Sequence, residues 1–212
     1  MRREDLCGYV LAGGVSSRMG QDKAFLELEG KPLVQRAVEV LQPVCGDVKI
    51  LAGSDEARIE QLRRFGDAIA DIHPGCGPLG GMEAALADTS LPWVMVLAVD
   101  TPFIPVKMLE DWRESTEEES AVLSFCVLEG DAQPLPVMMY KGLLPHISGA
   151  LDSGNYKVSA ALEKAALSVG RRIDLFDVQR VRCDGGPSRR SWFANINTPL
   201  EWDEASLRLR QS

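Results

Sequence analysis

The sequence predicts an α/β protein, with a doubly wound, mainly parallel sheet in its first half and a mixed strand-and-helix part after about residue 120. Three observations lead there. Apolar runs of strand length alternate with segments of helical period. The runs are almost continuously apolar, as strands covered on both faces are. The order strand, helix, strand, helix is the rhythm of parallel strands joined by crossover helices.

In chain order, "CGYVL" (7–11) is the first strand. Pro32 opens a helix whose Leu33, Val34, Ala37, Val38 and Leu41 share one stripe, with Pro43 just past its end. "VKILA" (48–52) is the second strand. In "SDEARIEQLRRF" (54–65), Ser54 or Asp55 suits the N-cap of a helix that turns Ile59, Leu62 and Phe65 to one side before Gly66. "AIAD" (68–71) is the third strand, "LGGMEAALAD" (79–88) a helix, "WVMVLAV" (93–99) the fourth strand and "VKMLEDWREST" (106–116) the helix behind it. All four strands are expected to be buried on both faces. Farther on, "AVLSFCVLEG" (121–130) and "PLPVMMY" (134–140) read as strands, and helices are expected around 142–151 and 157–168. "EEES" (117–120) is a solvated connection and "CDGGPSRRS" (183–191) a loop.

A chain of 212 residues, 45% hydrophobic, suffices for one sizeable core, so a single domain is expected. No run of eighteen apolar residues occurs, and the apolar part of "MRREDLCGYV" is too short for a signal peptide. A soluble, cytoplasmic protein is the expectation, without membrane partners. The five cysteines are scattered, without zinc-binding spacing, and free thiols are the default. A formal net charge of -8 argues against non-specific nucleic-acid binding. An anionic ligand would need local counter-charge.

"LAGGVSSRMGQDKAF" (11–25) offers that charge. In open parallel sheets ligands bind beyond the carboxyl ends of the strands, and this loop leaves such an end. Gly13 and Gly14 permit close backbone approach, Ser16 and Ser17 add hydroxyls, and Arg18 and Lys23 add cations, an inventory suited to a triphosphate. It is neither a Walker loop nor a dinucleotide fingerprint, because no Gly-Lys-Ser/Thr closes it and its glycines are wrongly spaced. A plain surface turn is the alternative.

"VLAVDTPFI" (96–104) delivers one carboxylate, Asp100, at a strand end, before Thr101-Pro102 turns the chain. A lone Asp there can simply begin a turn. If the sheet brings the two strand ends together, however, Asp100 lies beside the phosphates and a cation must separate the like charges. Mg²⁺ fits, since it is held by one or two carboxylates plus substrate phosphates and water. Asp22 is a second carboxylate within reach, or else an ion-pair partner of Lys23. In "ADIHPGCGPLGGMEAAL" (70–86), four glycines around Pro74 and Pro78 describe a loop that passes close to a flat ligand. Asp71 before it could accept from a base or ribose, or belong to a turn. His73 and Cys76 read as loop residues, because a single His beside a single Cys makes no metal site.

These segments resemble the signatures of nucleotidyltransferases of the molybdenum cofactor guanylyltransferase group: "LAGGVSSRMGQDKAFL" their first loop, "GPLGGMEAAL" their second, "VLAVDTPF" their metal-binding strand end and "FANINTPLEW" (193–202) their C-terminal motif. The resemblance implies a nucleotidyltransferase, Rossmann-like fold, and transfer of GMP from GTP to the terminal phosphate of molybdopterin with Mg²⁺ and release of pyrophosphate. It implies a nucleotide-binding half (1–115) and an acceptor-binding half (120–212). Leu11, Ala12, Gly13, Gly14, Lys23, Asp71, Gly77, Pro78, Leu79 and Asp100 are the implied GTP positions, with Asp100 also the metal ligand. Arg18, Lys23 and Asp100 are the implied catalytic groups. Lys157, Asn195 and Asn197 are the candidates for the pterin side, where amides supply both donors and an acceptor, and Arg180, Arg182, Arg189 and Arg190 could neutralise the acceptor. Thr198 capping the last helix, with Pro199 at its first position, is the structural alternative for the Asn-x-Asn-Thr-Pro motif. One departure stands in "LAGSD" (51–55), where Ala52, Gly53 and Ser54 occupy a loop in which family members can carry a nucleotide-contacting Asn. A cytidylyl or sugar-phosphate nucleotidyltransferase, and a non-catalytic nucleotide-binding module, are the competing functions. Proteins that deliver or receive the cofactor are implied partners.

Overall fold

A computed structural model describes residues 1–13, 22–182 and 188–209. Its strands are Leu6–Leu11 (β1), Glu27–Leu28 (β2), Lys31–Pro32 (β3), Asp47–Leu51 (β4), Asp67–Ile69 (β5), Trp93–Ala98 (β6), Leu123–Leu128 (β7), Asp131–Tyr140 (β8) and Ile173–Asp177 (β9). Its α-helices are Leu33–Leu41 (α1), Glu56–Leu62 (α2), Gly77–Asp88 (α3), Val106–Glu118 (α4), Leu144–Asp152 (α5), Val158–Ser168 (α6), Arg189–Trp192 (α7) and Pro199–Leu209 (α8). Seven strands form one sheet in the order β5-β4-β1-β6-β8-β7-β9, and β2 and β3 form a separate ribbon. Within the sheet only β8 runs antiparallel to its neighbours, β6 and β7. The doubly wound, mainly parallel sheet and its mixed second half are as the sequence predicts.

The central strands are apolar at successive positions because each face has its own cover. Leu6 and Val10 of β1, with Met95 and Leu97 of β6, join a cluster roofed by α1, α2 and α4 through Val38, Ile59 and Trp112. Cys7 and Tyr9, with Val94 and Val96, join a second cluster under α3, α5 and α6 through Met82, Ile147 and Leu162. Each large apolar side chain buried this way contributes ~1.5–3 kcal/mol, which favours this register because a one-residue slip exchanges the faces.

The edges depart from expectation. "AIAD" is not buried on both faces: β5 is an edge strand, and its residues are exposed or only partly buried. At the other edge lies β9, a strand absent from the sequence reading. Its inward positions are Asp174 and Phe176, while Leu175 is 56% exposed, so the hydrophobic pattern is inverted at two of five residues. Asp174 is accommodated by the Ser124 hydroxyl at 2.6 Å, which itself accepts from Trp112 Nε1 at 2.7 Å. Burial pushes the Asp174 carboxyl above the usual range. Elsewhere α4 absorbs Glu117 and Glu118 of the expected connection, α3 begins at Gly77, and α7 occupies part of the expected C-terminal loop.

Topology brings four segments to one mouth. Leu11 pairs with Ala98, and the Val99 amide donates to the Leu11 carbonyl at 3.1 Å, so the ends of β1 and β6 emerge side by side. Because β8 is antiparallel to β6, with Val137 opposite Val96, its first residues lie beyond the carboxyl end of β6. The Ile196 amide donates to the Asp100 carbonyl at 3.0 Å, which ties the segment before α8 to the same place.

Candidate active site

A cleft of about 470 Å³ opens at this mouth. Of the residues singled out in the sequence, Leu11, Ala12, Gly13, Asp22, Lys23, Pro78, Asp100, Asn195 and Asn197 line it. Gln133, Pro134 and Leu135 of β8 add a wall that local sequence did not signal, because only the reversed direction of β8 delivers it, and Phe193, which opens the C-terminal motif, lines the cleft beside Asn195. Gly14, Ser16, Ser17 and Arg18 lie outside the described residues.

Lys23 begins a 3₁₀ turn, Lys23–Phe25, capped by Asp22, whose carboxylate accepts from the Ala24 amide at 3.0 Å. From there Lys23 Nζ donates to Asp100 Oδ2 at 3.2 Å and to Asn197 Oδ1 at 2.5 Å. The Lys23 and Asp100 side chains are 15% and 22% exposed, so the pair is partly desolvated yet still faces the cleft. Asp22 is not the partner of Lys23. It pairs with Arg58, which also donates to the Ala12 and Ala52 carbonyls. Arg58 was invisible in the sequence, since its partners sit 6 to 46 residues away.

The Asn-x-Asn-Thr-Pro segment is aimed by a capping box. Thr198 Oγ1 accepts from the Glu201 amide at 3.3 Å, and Glu201 Oε2 accepts from the amides of Asn197 and Thr198 at 2.7 and 2.9 Å. These backbone donors hold the Glu201 carboxyl below its usual range. Capping and cleft lining therefore coexist in one motif: the backbone closes the box while the Asn197 side chain meets Lys23.

The second glycine loop lies to one side. The Asp71 amide donates to the Gly53 carbonyl at 3.0 Å, and burial raises the Asp71 carboxyl above the usual range. A Cβ on Gly80 would stand 2.9 Å from the His73 carbonyl, so a glycine is needed there for α3 to pack this close, whereas one on Gly81 would meet only the movable end of Leu11, 2.7 Å from Cδ1. His73 is more than a loop residue: Nδ1 lies 2.5 Å from Oε2 of buried Glu83, whose Oε1 accepts from Ser148 at 2.6 Å. The Glu83 hydrogen bond raises the His73 pKa and fastens the loop to α3 and α5.

Other candidate residues lie outside the cleft lining. Asp71, Gly77 and Leu79 do not line the cleft: Leu79 is fully buried in the core, and Asp71 sits beyond the end of β5. Lys157 is exposed ahead of α6, on the face shared with α3 and α5, and is also absent from the lining. Arg189, a candidate for neutralising the acceptor, donates to the Val178 and Val181 carbonyls and stacks on Trp192 at 5.6 Å.

No group of three or more His, Cys, Asp or Glu side chains suited to a metal occurs among the described residues. Asp100, whose side chain meets the Lys23 ammonium, does not make a zinc site or an all-protein cage. It fits a hard cation whose remaining ligands are phosphate oxygens and water.

A mainly parallel sheet that brings the carboxyl ends of β1 and β6 side by side, with helices on both faces, is the fold of a nucleotidyltransferase. The crystal structure of molybdopterin-guanine dinucleotide biosynthesis protein A from Archaeoglobus fulgidus shares it, with a TM-score of 0.80 at 24% identity over 97% of this chain and 100% of that one. The chain belongs to the MobA-like NTP transferase domain family, which matches residues 8–167. It is 30% identical to the molybdenum cofactor guanylyltransferase of Vibrio cholerae over 95% of this chain and 91% of that protein. It is 29% identical to the probable molybdenum cofactor guanylyltransferase of Synechococcus elongatus over 96% of this chain and 99% of that protein.

Proposed function

We propose that this chain is a molybdenum cofactor guanylyltransferase: it transfers GMP from GTP to the terminal phosphate of molybdopterin and releases pyrophosphate. The observation that carries the reading is the meeting of Lys23, Asp100 and Asn197, which joins the first loop, the β6 end and the C-terminal motif in one cleft. The names of the relatives supply the cofactor and the guanylyl group.

The chemistry needs no protein nucleophile. An oxygen of the acceptor phosphate forms a bond to the α-phosphorus of GTP as the bond to pyrophosphate breaks, so the chain's task is to position two anions and offset their repulsion. Gly13 lets backbone approach the phosphates. Lys23 and, by the resemblance, Gly14 and Arg18 meet the charge that gathers on the leaving group. Asp100 would hold Mg²⁺, which when bound supplies charge neutralisation at phosphate oxygens. The nucleoside extends past Gly53 toward Asp71 and the loop at Gly77, Pro78 and Leu79, where a desolvated carboxylate favours an N–H donor. Asn195 and Asn197 face the pterin side. The enzyme acts in the cytoplasm, and no helix among the described residues is long and apolar enough to cross a membrane.

Pyrophosphate release measured with GTP, CTP, ATP and UTP, each with molybdopterin as acceptor, tests the assignment. Turnover with GTP is expected. Turnover with CTP alone would move the chain to a cytidylyl role, and nucleotide binding without turnover would make it a binding module.

A further inference from the structure

Arg58 stands in the first turn of α2, behind the cleft, with its side chain only 11% exposed. Nη2 donates to the Ala12 carbonyl at 2.5 Å and to Asp22 Oδ1 at 3.0 Å, Nη1 donates to the Ala52 carbonyl at 2.6 Å, and Nε donates to Asp22 Oδ2. Ala12 and Asp22 stand at the two ends of the first loop, and Ala52 follows β4. One planar fork thus spans the neck of the loop and anchors it to the neighbouring strand end.

We propose that Arg58 is a positioning residue for nucleotidyl transfer. It sets the width of the loop's neck and, through Asp22, the place of Lys23 opposite Asp100. This rests on the reading of the cleft as the GTP site. Asp22 is the link, since the carboxylate that receives the guanidinium also caps the turn from which Lys23 reaches Asp100. A guanidinium paired in two-pronged fashion with a carboxylate holds geometry in a way that a point charge does not, so lysine cannot replace it. Displacing a reacting group by about 1 Å costs roughly 10²-fold in rate, and the fork restrains the position of Lys23 on that scale.

The test compares R58M and R58K with R113M. Arg113 donates to the Val44 carbonyl at 3.0 Å ahead of β4, at the other end of the sheet, and serves as the structural control. Both Arg58 variants are expected to lose about 10²-fold in kcat/KM for GTP while the acceptor KM stays within about twofold. Amide hydrogen exchange over residues 22–26 should accelerate. R113M should lower Tm and leave the kinetics of the folded enzyme unchanged. Wild-type kcat/KM for GTP in folded R58M, or full recovery in R58K, would overturn the proposal. If R58M does not fold, D22N carries the test, because it keeps an oxygen for the Ala24 amide but removes the charge that Arg58 grips. The same GTP-specific loss is expected, and wild-type kinetics in D22N would overturn the inference. A wild-type chain that releases no pyrophosphate would remove the reading of the cleft instead. Exchange over 22–26 then decides the role of Arg58, and unchanged rates in R58M overturn it.

Discussion

At the residue scale, Lys23 shows how a position becomes chemistry. Its ammonium meets a carboxylate and an amide oxygen from segments 77 and 174 residues away, at the mouth of a cleft. A charge-assisted contact removed from such a place costs ~1.5–3 kcal/mol. Lys23→Ala should therefore raise the KM for GTP and lower kcat, with a combined loss of roughly 10- to 100-fold in steady-state pyrophosphate release. Unaltered kinetics would remove Lys23 from the site. Lys23 and Asp100 were legible in the sequence because each follows a strong local signal, a glycine loop after a buried strand and a carboxylate ending one. Arg58 was not, since an arginine on a helix of mixed polarity has no local mark of the three carbonyl and carboxylate partners that the fold brings to it.

At the element scale, the helices and central strands followed from periodicity, whereas β9 did not. An alternating strand is recognised by apolar residues in one phase, and β9 puts Asp174 in the buried phase and Leu175 in water. That aspartate is tolerable only because Ser124 and Thr116, distant in sequence, donate to it. Lys157 stands apart from the cleft for a related reason: a residue ahead of a helix points wherever the helix docks, and α6 docks with α5 on the face away from α8. The α8 cap offers a test of coupling between element and site. Thr198→Ala removes the side chain that accepts from Glu201 and should cost about 1 kcal/mol. A Tm lowered by a few degrees and a raised acceptor KM are both expected, because the same box aims Asn197. A lower Tm with an unchanged acceptor KM would limit the box to stability.

At the scale of the whole molecule, strand order is what the sequence withheld. Crossover helices predict parallel neighbours, but nothing local says that β8 enters reversed between β6 and β7 and so contributes Gln133, Pro134 and Leu135 to the cleft. All seven strands nevertheless share one sheet, and β6 and β8 join the two halves of the chain by direct pairing. Thermal unfolding is accordingly expected to be one transition. Far-UV circular dichroism should melt together with the fluorescence of Trp93, Trp112, Trp192 and Trp202, which all pack in the cluster under α1, α2 and α4. Two separated transitions would show that the nucleotide and acceptor halves unfold as independent units.

The central claim, that the paired ends of β1 and β6 form the transfer site, is tested most directly by Asp100→Asn. Pyrophosphate release from GTP and molybdopterin is measured at ordinary Mg²⁺ for the variant and the unaltered protein. The account predicts the largest loss of any single substitution in the cleft, beyond the roughly 10- to 100-fold expected for Lys23→Ala, since removing the carboxylate removes the divalent cation with it. Release by the folded variant at close to the wild-type rate would contradict it.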